Sequence, residues 1–80
     1  MSATLADLNT IFRDILDQPD LRITRASSAR TVDGWDSLAH MNLVTATQQH
    51  FRIRFALGEL EELKDVGDMV DLIDAKLRAR

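Results

Sequence analysis

Few side chains in this sequence have the type and spacing that catalysis needs. The chain has no cysteine, which excludes thiol chemistry, disulfides and thiolate metal sites. Its two histidines, His40 and His50, lie far apart in the sequence and form no metal-ligand pattern. The three glycines do not form a loop of the kind that holds a phosphate. We therefore expect no catalytic residues and no metal site.

One short segment could carry chemistry of another kind. Ser37 follows Gly34 and Trp35 and falls in the first turn of a predicted helix, with Asp36 as its cap and Leu38 after it. The first amides of a helix lack partners and face a positive dipole end, so a phosphodiester on this hydroxyl would be stabilised. A serine that another enzyme modifies needs no base beside it. An aspartate cap followed by serine also opens many unmodified helices, and that structural alternative stays open.

The chain as a whole suits one small helical domain. It has 80 residues, is 45% hydrophobic and 29% charged, and contains one proline. We expect a single domain over residues 1–80. No apolar run approaches the roughly 18 residues of a membrane span, and the N-terminus lacks the pattern of a secretory signal, so we expect a cytoplasmic protein. A net charge of -3 argues against a nucleic-acid binder.

Apolar residues on a helical period predict where the helices lie. The first helix is expected over about 4–18, capped by Thr4 and ended by Pro19. Residues 19–36 show no sustained period and are expected to form a long loop with Leu21, Ile23 and Val32 as apolar anchors. The apolar stripe of the first helix consists of Leu5, Leu8, Ile11, Phe12, Ile15 and Leu16.

Three further helical segments follow this loop. A second helix is expected from Asp36 to Phe51, with no Asp, Glu, Lys or Arg after its cap. A short segment, 57–63, would present Leu60 and Leu63, and a last helix would begin after Asp65. The predicted fold is all-α, a small four-helix bundle with three longer helices, one short helix and a long first loop. The predicted apolar stripe of the second helix is Leu38, Met41, Val44 and Thr45, flanked by Leu43, Ala46 and Phe51. That of the last helix is Val66, Met69, Val70, Ile73 and Leu77. The predicted polar face of the second helix is His40, Asn42, Thr47, Gln48, Gln49 and His50.

The segment from Gly34 to Leu38, near the middle of such a chain, resembles the attachment motif of acyl carrier proteins. The resemblance implies that Ser37 receives 4′-phosphopantetheine from coenzyme A, and that Asp36 and Leu38 beside it help to bind this cofactor. It implies a non-catalytic, monomeric carrier whose arm holds acyl or aminoacyl thioesters in fatty-acid, polyketide or related specialised biosynthesis. The implied partners are a phosphopantetheinyl transferase and enzymes that load or transfer acyl groups.

The second helix departs from the family pattern. In acyl carrier proteins this helix is typically rich in carboxylates that dock on basic patches of partner enzymes, whereas here it is uncharged. We therefore expect partners to contact Trp35, His40 and Met41, with Glu61 and Glu62 steering them over a longer range. Trp35 could equally be a structural staple, and Leu38 and Met41 could belong to the core.

Two other functions remain possible on the sequence alone. One is an unmodified helical module that binds a protein partner through the same surface. The other is a small nucleic-acid binder that uses the arginines of the middle segment, which the acidic balance disfavours. Those arginines are Arg22, Arg25, Arg30, Arg52 and Arg54. The intact mass of protein produced with a phosphopantetheinyl transferase separates the carrier from the unmodified module.

Overall fold

The computed structural model describes residues 3–79 and confirms the all-α fold. Within that range it has four helices and no strand: α1 (Ala3–Ile15), α2 (Ser37–Phe51), α3 (Leu57–Glu61) and α4 (Val66–Ala79). Helix α1 packs against both α2 and α4. None of the helices in residues 3–79 has the length and apolar character needed to cross a membrane.

The core forms where the apolar stripe of α1 meets α2 and α4. Phe12 and Ile73 are completely buried in it, as are Leu8 and Leu43. The predicted stripes of α1 and α4 are confirmed, with Leu5, Ile15, Leu16 and Leu77 partly buried at the margins of the core. Burial of this apolar surface is the main force that holds the bundle together.

The predicted apolar stripe of α2 is mostly wrong. Leu38, Met41 and Thr45 are exposed, and Val44 is the one residue of that stripe that is buried. Thr47, which was expected on the polar face, is completely buried, and its hydroxyl donates to the carbonyl oxygen of Leu43 at 2.7 Å. A hydroxyl that is satisfied by a backbone carbonyl can enter a core at little cost. The buried face consists of Leu43, Val44, Thr47 and Phe51.

Two predicted details of α1 are also wrong. The helix ends at Ile15 rather than near residue 18, because Asp17 adopts a left-handed φ of 54° and the Gln18 amide bonds back to the Arg13 carbonyl at 3.0 Å. This is a common way to close a helix. Thr4 does not act as the expected cap: its buried hydroxyl donates to the carboxylate of Asp74 and so ties α1 to α4.

The long loop between α1 and α2 is fastened to the bundle rather than free. The side chain of Asn9 forms a pair of hydrogen bonds with the backbone of Ile23, at 2.8 Å to its amide and 3.2 Å to its carbonyl. Ile23 and Val32 are buried, as expected of apolar anchors, whereas Leu21 is only partly buried. The middle of the loop is therefore held against α1.

The same loop also supplies acceptors to the start of α4. The amides of Val66 and Gly67 donate to the carbonyl oxygens of Ser27 and Arg25, at 2.9 and 2.8 Å. The Arg25 guanidinium then pairs with Asp71 at 2.9 Å, and this hydrogen bond holds the pKa of Asp71 below its usual value. Two orphan amides of α4 are thus satisfied by backbone that is distant in the sequence.

Candidate functional site

The N-terminus of α2 presents Ser37 as the first helical residue, exposed to solvent. Asp36 is the predicted cap: its backbone is extended and its Oδ1 accepts the Ala39 amide at 2.8 Å. The Asp36 carbonyl accepts the His40 amide, also at 2.8 Å. The amides of Ser37 and Leu38 have no hydrogen-bond acceptor among residues 3–79. An exposed hydroxyl therefore stands beside two free N–H donors at the positive end of a helix.

A tight turn delivers the chain to this position. Gly34 has a φ of 84°, a left-handed conformation that side chains disfavour. The Asp36 amide bonds to the Gly34 carbonyl at 3.1 Å, and the Gln18 side chain donates to the Asp33 carbonyl at 2.7 Å. A Cβ placed on Gly34 would lie 3.2 Å from the Gln18 Nε2, which the hydrogen bond to Asp33 holds in place.

Changing Gly34 to alanine is expected to destabilise the fold by about 1–2 kcal/mol, because the left-handed backbone becomes strained. Gly58→Ala is the matched control, since Gly58 lies in α3 with nothing within 4 Å of its new Cβ, and no loss is expected there. Urea unfolding followed by far-ultraviolet circular dichroism measures both. Equal stability of the two variants would show that the turn before Ser37 is relaxed.

Trp35 joins this turn to the core. Its side chain is only 8% exposed, and its ring meets that of Phe12 edge to face, with centroids 4.9 Å apart. Its indole Nε1–H donates to the Nδ1 of His40 at 3.1 Å, and the two rings lie nearly parallel. This geometry favours the structural interpretation of Trp35, because the buried indole leaves little surface for a partner.

Leu38 and Met41 form an apolar surface beside Ser37. Their exposed fractions are 72% and 67%, so the alternative that placed them in the core is wrong. Leu57, at the start of α3, is 73% exposed and was not singled out from the sequence. Leu60 and Leu63, the two leucines that the short segment was expected to present, are partly buried against the core.

The outer face of α2 changes from apolar to cationic along its length. Thr45 and Gln49 are exposed, and Arg52 ends the helix in a left-handed conformation with φ 57°. Gln48 is less free to contact a partner, because its Oε1 already accepts the Phe55 amide at 2.9 Å. Together with Arg54 these residues line an open groove of about 540 Å³. Sequence reasoning noted both arginines but not the groove that they share.

Glu61 and Glu62 are exposed at the end of α3. Within residues 3–79 neither carboxylate forms an ion pair or a hydrogen bond with the turn around Ser37. Their neighbour Glu59 is engaged: its carboxylate accepts the Ala56 amide and pairs with Lys76 at 2.9 Å, which together hold the pKa of Glu59 below its usual value. Glu61 and Glu62 are thus available for contact with a partner but are not part of the serine site.

The described residues bring together no set of groups suited to a metal. In residues 3–79 no three His, Cys, Asp or Glu side chains are close enough to share an ion. His50 lies at the far end of α2 from His40 and approaches Asp7 of α1 at 3.4 Å. The chemistry that this surface offers is therefore an exposed hydroxyl with free amides, next to apolar side chains.

Known proteins share these features. The family model described as "phosphopantetheine attachment site" matches residues 6–73. The fold is similar to the solution NMR structure of a holo acyl carrier protein from Geobacter metallireducens, with a TM-score of 0.91 and 49% sequence identity over 98% of this chain and 90% of that one. No curated protein sequence matches the chain significantly.

Proposed function

This chain belongs to the phosphopantetheine-attachment family of acyl carrier proteins, and from that membership we propose that Ser37 bears its covalent 4′-phosphopantetheine arm. A member of this family is a non-catalytic carrier, and the arm is its cofactor. The thiol of a bound arm supplies the chemistry, since it holds acyl or aminoacyl groups as thioesters. The protein's own residues present the attachment oxygen and the surface that partners contact.

The observation that carries the proposal is the exposed hydroxyl and the free backbone amides at the N-terminus of α2. Ser37 is exposed, and its own amide and that of Leu38 are free within residues 3–79. A phosphodiester on the Ser37 oxygen fits these donors without displacing an existing hydrogen bond. The neighbouring carboxylate of Asp36 is occupied by the Ala39 amide, so its Oδ1 is directed into the helix cap.

Intact-mass spectrometry tests the proposal. The protein is produced with and without a broad-range phosphopantetheinyl transferase, and the mass should increase by one phosphopantetheinyl group only when the transferase is present. Digestion and fragmentation should place the increment on the peptide that contains Ser37. An unmodified protein under these conditions would favour the alternative of a helical interaction module.

The domain boundaries, the pathway and the compartment belong to the same proposal. One carrier domain over residues 1–80 is supported by a hydrophobic cluster within residues 3–79 to which α1, α2 and α4 all contribute. We place the carrier in fatty-acid, polyketide or related specialised biosynthesis, acting as a monomer in the cytoplasm. Its partners are a phosphopantetheinyl transferase and enzymes that load or transfer acyl groups.

The outer face of α2 limits which of these enzymes the carrier can use. An enzyme that recognises carboxylates on this helix finds none between Ser37 and Phe51. The exposed side chains are instead apolar at Leu38 and Met41, then neutral, then cationic at Arg52. We assign His40, Leu38 and Met41 to direct contact with partners. Trp35 holds the His40 ring through its hydrogen bond to Nδ1. The exposed Glu61 and Glu62 provide longer-range attraction to a basic partner.

A fatty-acid synthesis transacylase that docks through basic residues should use the wild-type carrier several-fold less well than its own carrier. Thr45→Glu/Gln49→Glu should raise kcat/KM, because both positions are exposed and lie outside the hydrophobic core, so the new carboxylates face the partner. The matched variant Glu61→Gln/Glu62→Gln should lower the rate and flatten its salt dependence, since added salt shortens the Debye length from roughly 10 Å at 0.1 M to 3 Å at 1 M. If the transacylase used this wild-type protein as well as its own carrier, the assignment of the docking face would be contradicted.

A further inference from the structure

We infer that His40 donates a hydrogen bond from its Nε2 to the phosphodiester on Ser37, and that Trp35 selects the ring tautomer that makes this possible. The inference rests on the proposed attachment at Ser37. It assigns a binding role to a side chain one helical turn beyond the attachment residue, and a positioning role to the indole behind it.

The tautomer follows from the bond between the two rings. An indole Nε1–H can only donate, so the His40 Nδ1, at 3.1 Å, must accept. A neutral imidazole with an accepting Nδ1 carries its proton on Nε2. The Trp35 ring is itself fixed, because it is buried against Phe12. The core thus sets which nitrogen of His40 is a donor.

The resulting donor has no partner in the described part of the chain. The His40 ring is half-buried, and its Nε2 forms no hydrogen bond with any of residues 3–79. No buried side-chain nitrogen or oxygen in residues 3–79 lacks a partner, so this unpartnered nitrogen is open to solvent and within reach of a ligand. An anionic oxygen brought near this nitrogen would therefore be stabilised by a charge-assisted hydrogen bond.

The helix register places His40 on the same side of α2 as Ser37. Residues three apart on a helix share a face, and side chains lean toward the N-terminus of their helix. His40 therefore leans back over the turn that begins with Ser37, where the amides of Ser37 and Leu38 are also free. A phosphodiester there would receive one neutral side-chain donor in addition to the backbone donors. The base of the arm would be held on the His40 side of α2.

The inference is tested by NMR on the intact protein, with and without the arm, after intact mass has established attachment at Ser37. In histidine-labelled protein, the ¹⁵N signals should show the Nε2–H tautomer of His40 before attachment. Attachment should shift the His40 Nε2 signal and leave that of His50 unchanged, because His50 lies at the other end of α2 beside Asp7. A His40 Nε2 signal that does not respond to attachment would overturn the inference while leaving the carrier function intact.

Two variants at position 40 provide a second readout, the ³¹P signal of the phosphodiester. His40→Gln retains a donor at the place of Nε2 and should keep the wild-type ³¹P shift, whereas His40→Leu removes the donor and should move it. The same ³¹P shift in all three proteins would refute the hydrogen bond. Trp35→Phe removes the donor to the His40 Nδ1, so the neutral His40 ring should no longer be confined to one tautomer. Both tautomers should then appear in the ¹⁵N spectrum. A protein that takes no arm at all would refute both this inference and the proposed function.

Discussion

Replacing Ser37 with alanine is expected to abolish phosphopantetheine attachment completely while leaving the fold unchanged. The variant loses the hydroxyl oxygen that would bond to the phosphate. It removes only a small exposed group, and alanine is well suited to a first helical turn. Intact mass after incubation with coenzyme A and a phosphopantetheinyl transferase measures attachment, and circular dichroism with a melting curve measures the fold.

Ser28→Ala is the matched control for that experiment. Ser28 lies in the loop, where its hydroxyl accepts the Arg30 amide at 3.2 Å, and no helix starts beside it. This variant should be modified as fully as the wild type. Ser2, another serine in the sequence, lies outside the described residues. If the Ser37→Ala protein still gained the arm, the assignment of the site would be wrong.

Replacing Phe12 with alanine is expected to destabilise the fold by about 3–5 kcal/mol. Phe12 lies on α1 and is completely buried in the core, where its ring contacts that of Trp35. A domain of this size has a stability of only a few kcal/mol, so most of the protein should unfold. Carrier function should then be lost through unfolding rather than through loss of a contact with a partner. Urea unfolding followed by far-ultraviolet circular dichroism gives the free energy.

Two comparison variants make this result interpretable. Phe12→Leu keeps most of the buried volume and should lose less stability than the alanine variant. Leu57→Ala removes an apolar side chain that is 73% exposed and should change stability little. A well-folded Phe12→Ala protein that could not be loaded would show that this face of α1 is a contact surface rather than core.

The sequence was informative where a periodic pattern decides burial. The stripes of α1 and α4 were predicted correctly because each of these helices combines an apolar face with a charged one, and a helix of that kind buries its apolar face. In α2 no Asp, Glu, Lys or Arg marks a polar face, so its sequence shows little contrast between the two faces. For that reason Leu38 and Met41 could not be separated from core residues by spacing, and the burial of Thr47 was missed.

Contacts between residues far apart in the chain could not be predicted from local sequence patterns. The caps at Asp36 and Asp65 depend on local spacing and were predicted; in the structure the Asp65 Oδ1 accepts the Asp68 amide at 2.9 Å. The bond between Thr4 and Asp74 depends on how the helices pack, and no local rule indicates it. The site divides in the same way: the motif indicates Ser37, but only the fold shows that the Trp35 indole bonds to His40.

The position of Trp35 has a consequence for spectroscopy. It is the one tryptophan of the sequence, and its ring lies between Phe12 in the core and His40 beside the attachment residue. Indole emission depends on the polarity and the quenching groups around the ring, and here both are set by these two neighbours. The chain therefore contains a native fluorophore whose emission we expect to change on loss of the core and, with the proposed arm on Ser37, on changes beside that residue. Loading and unfolding can be followed at one wavelength, without a label and without adding a cysteine to a chain that has none.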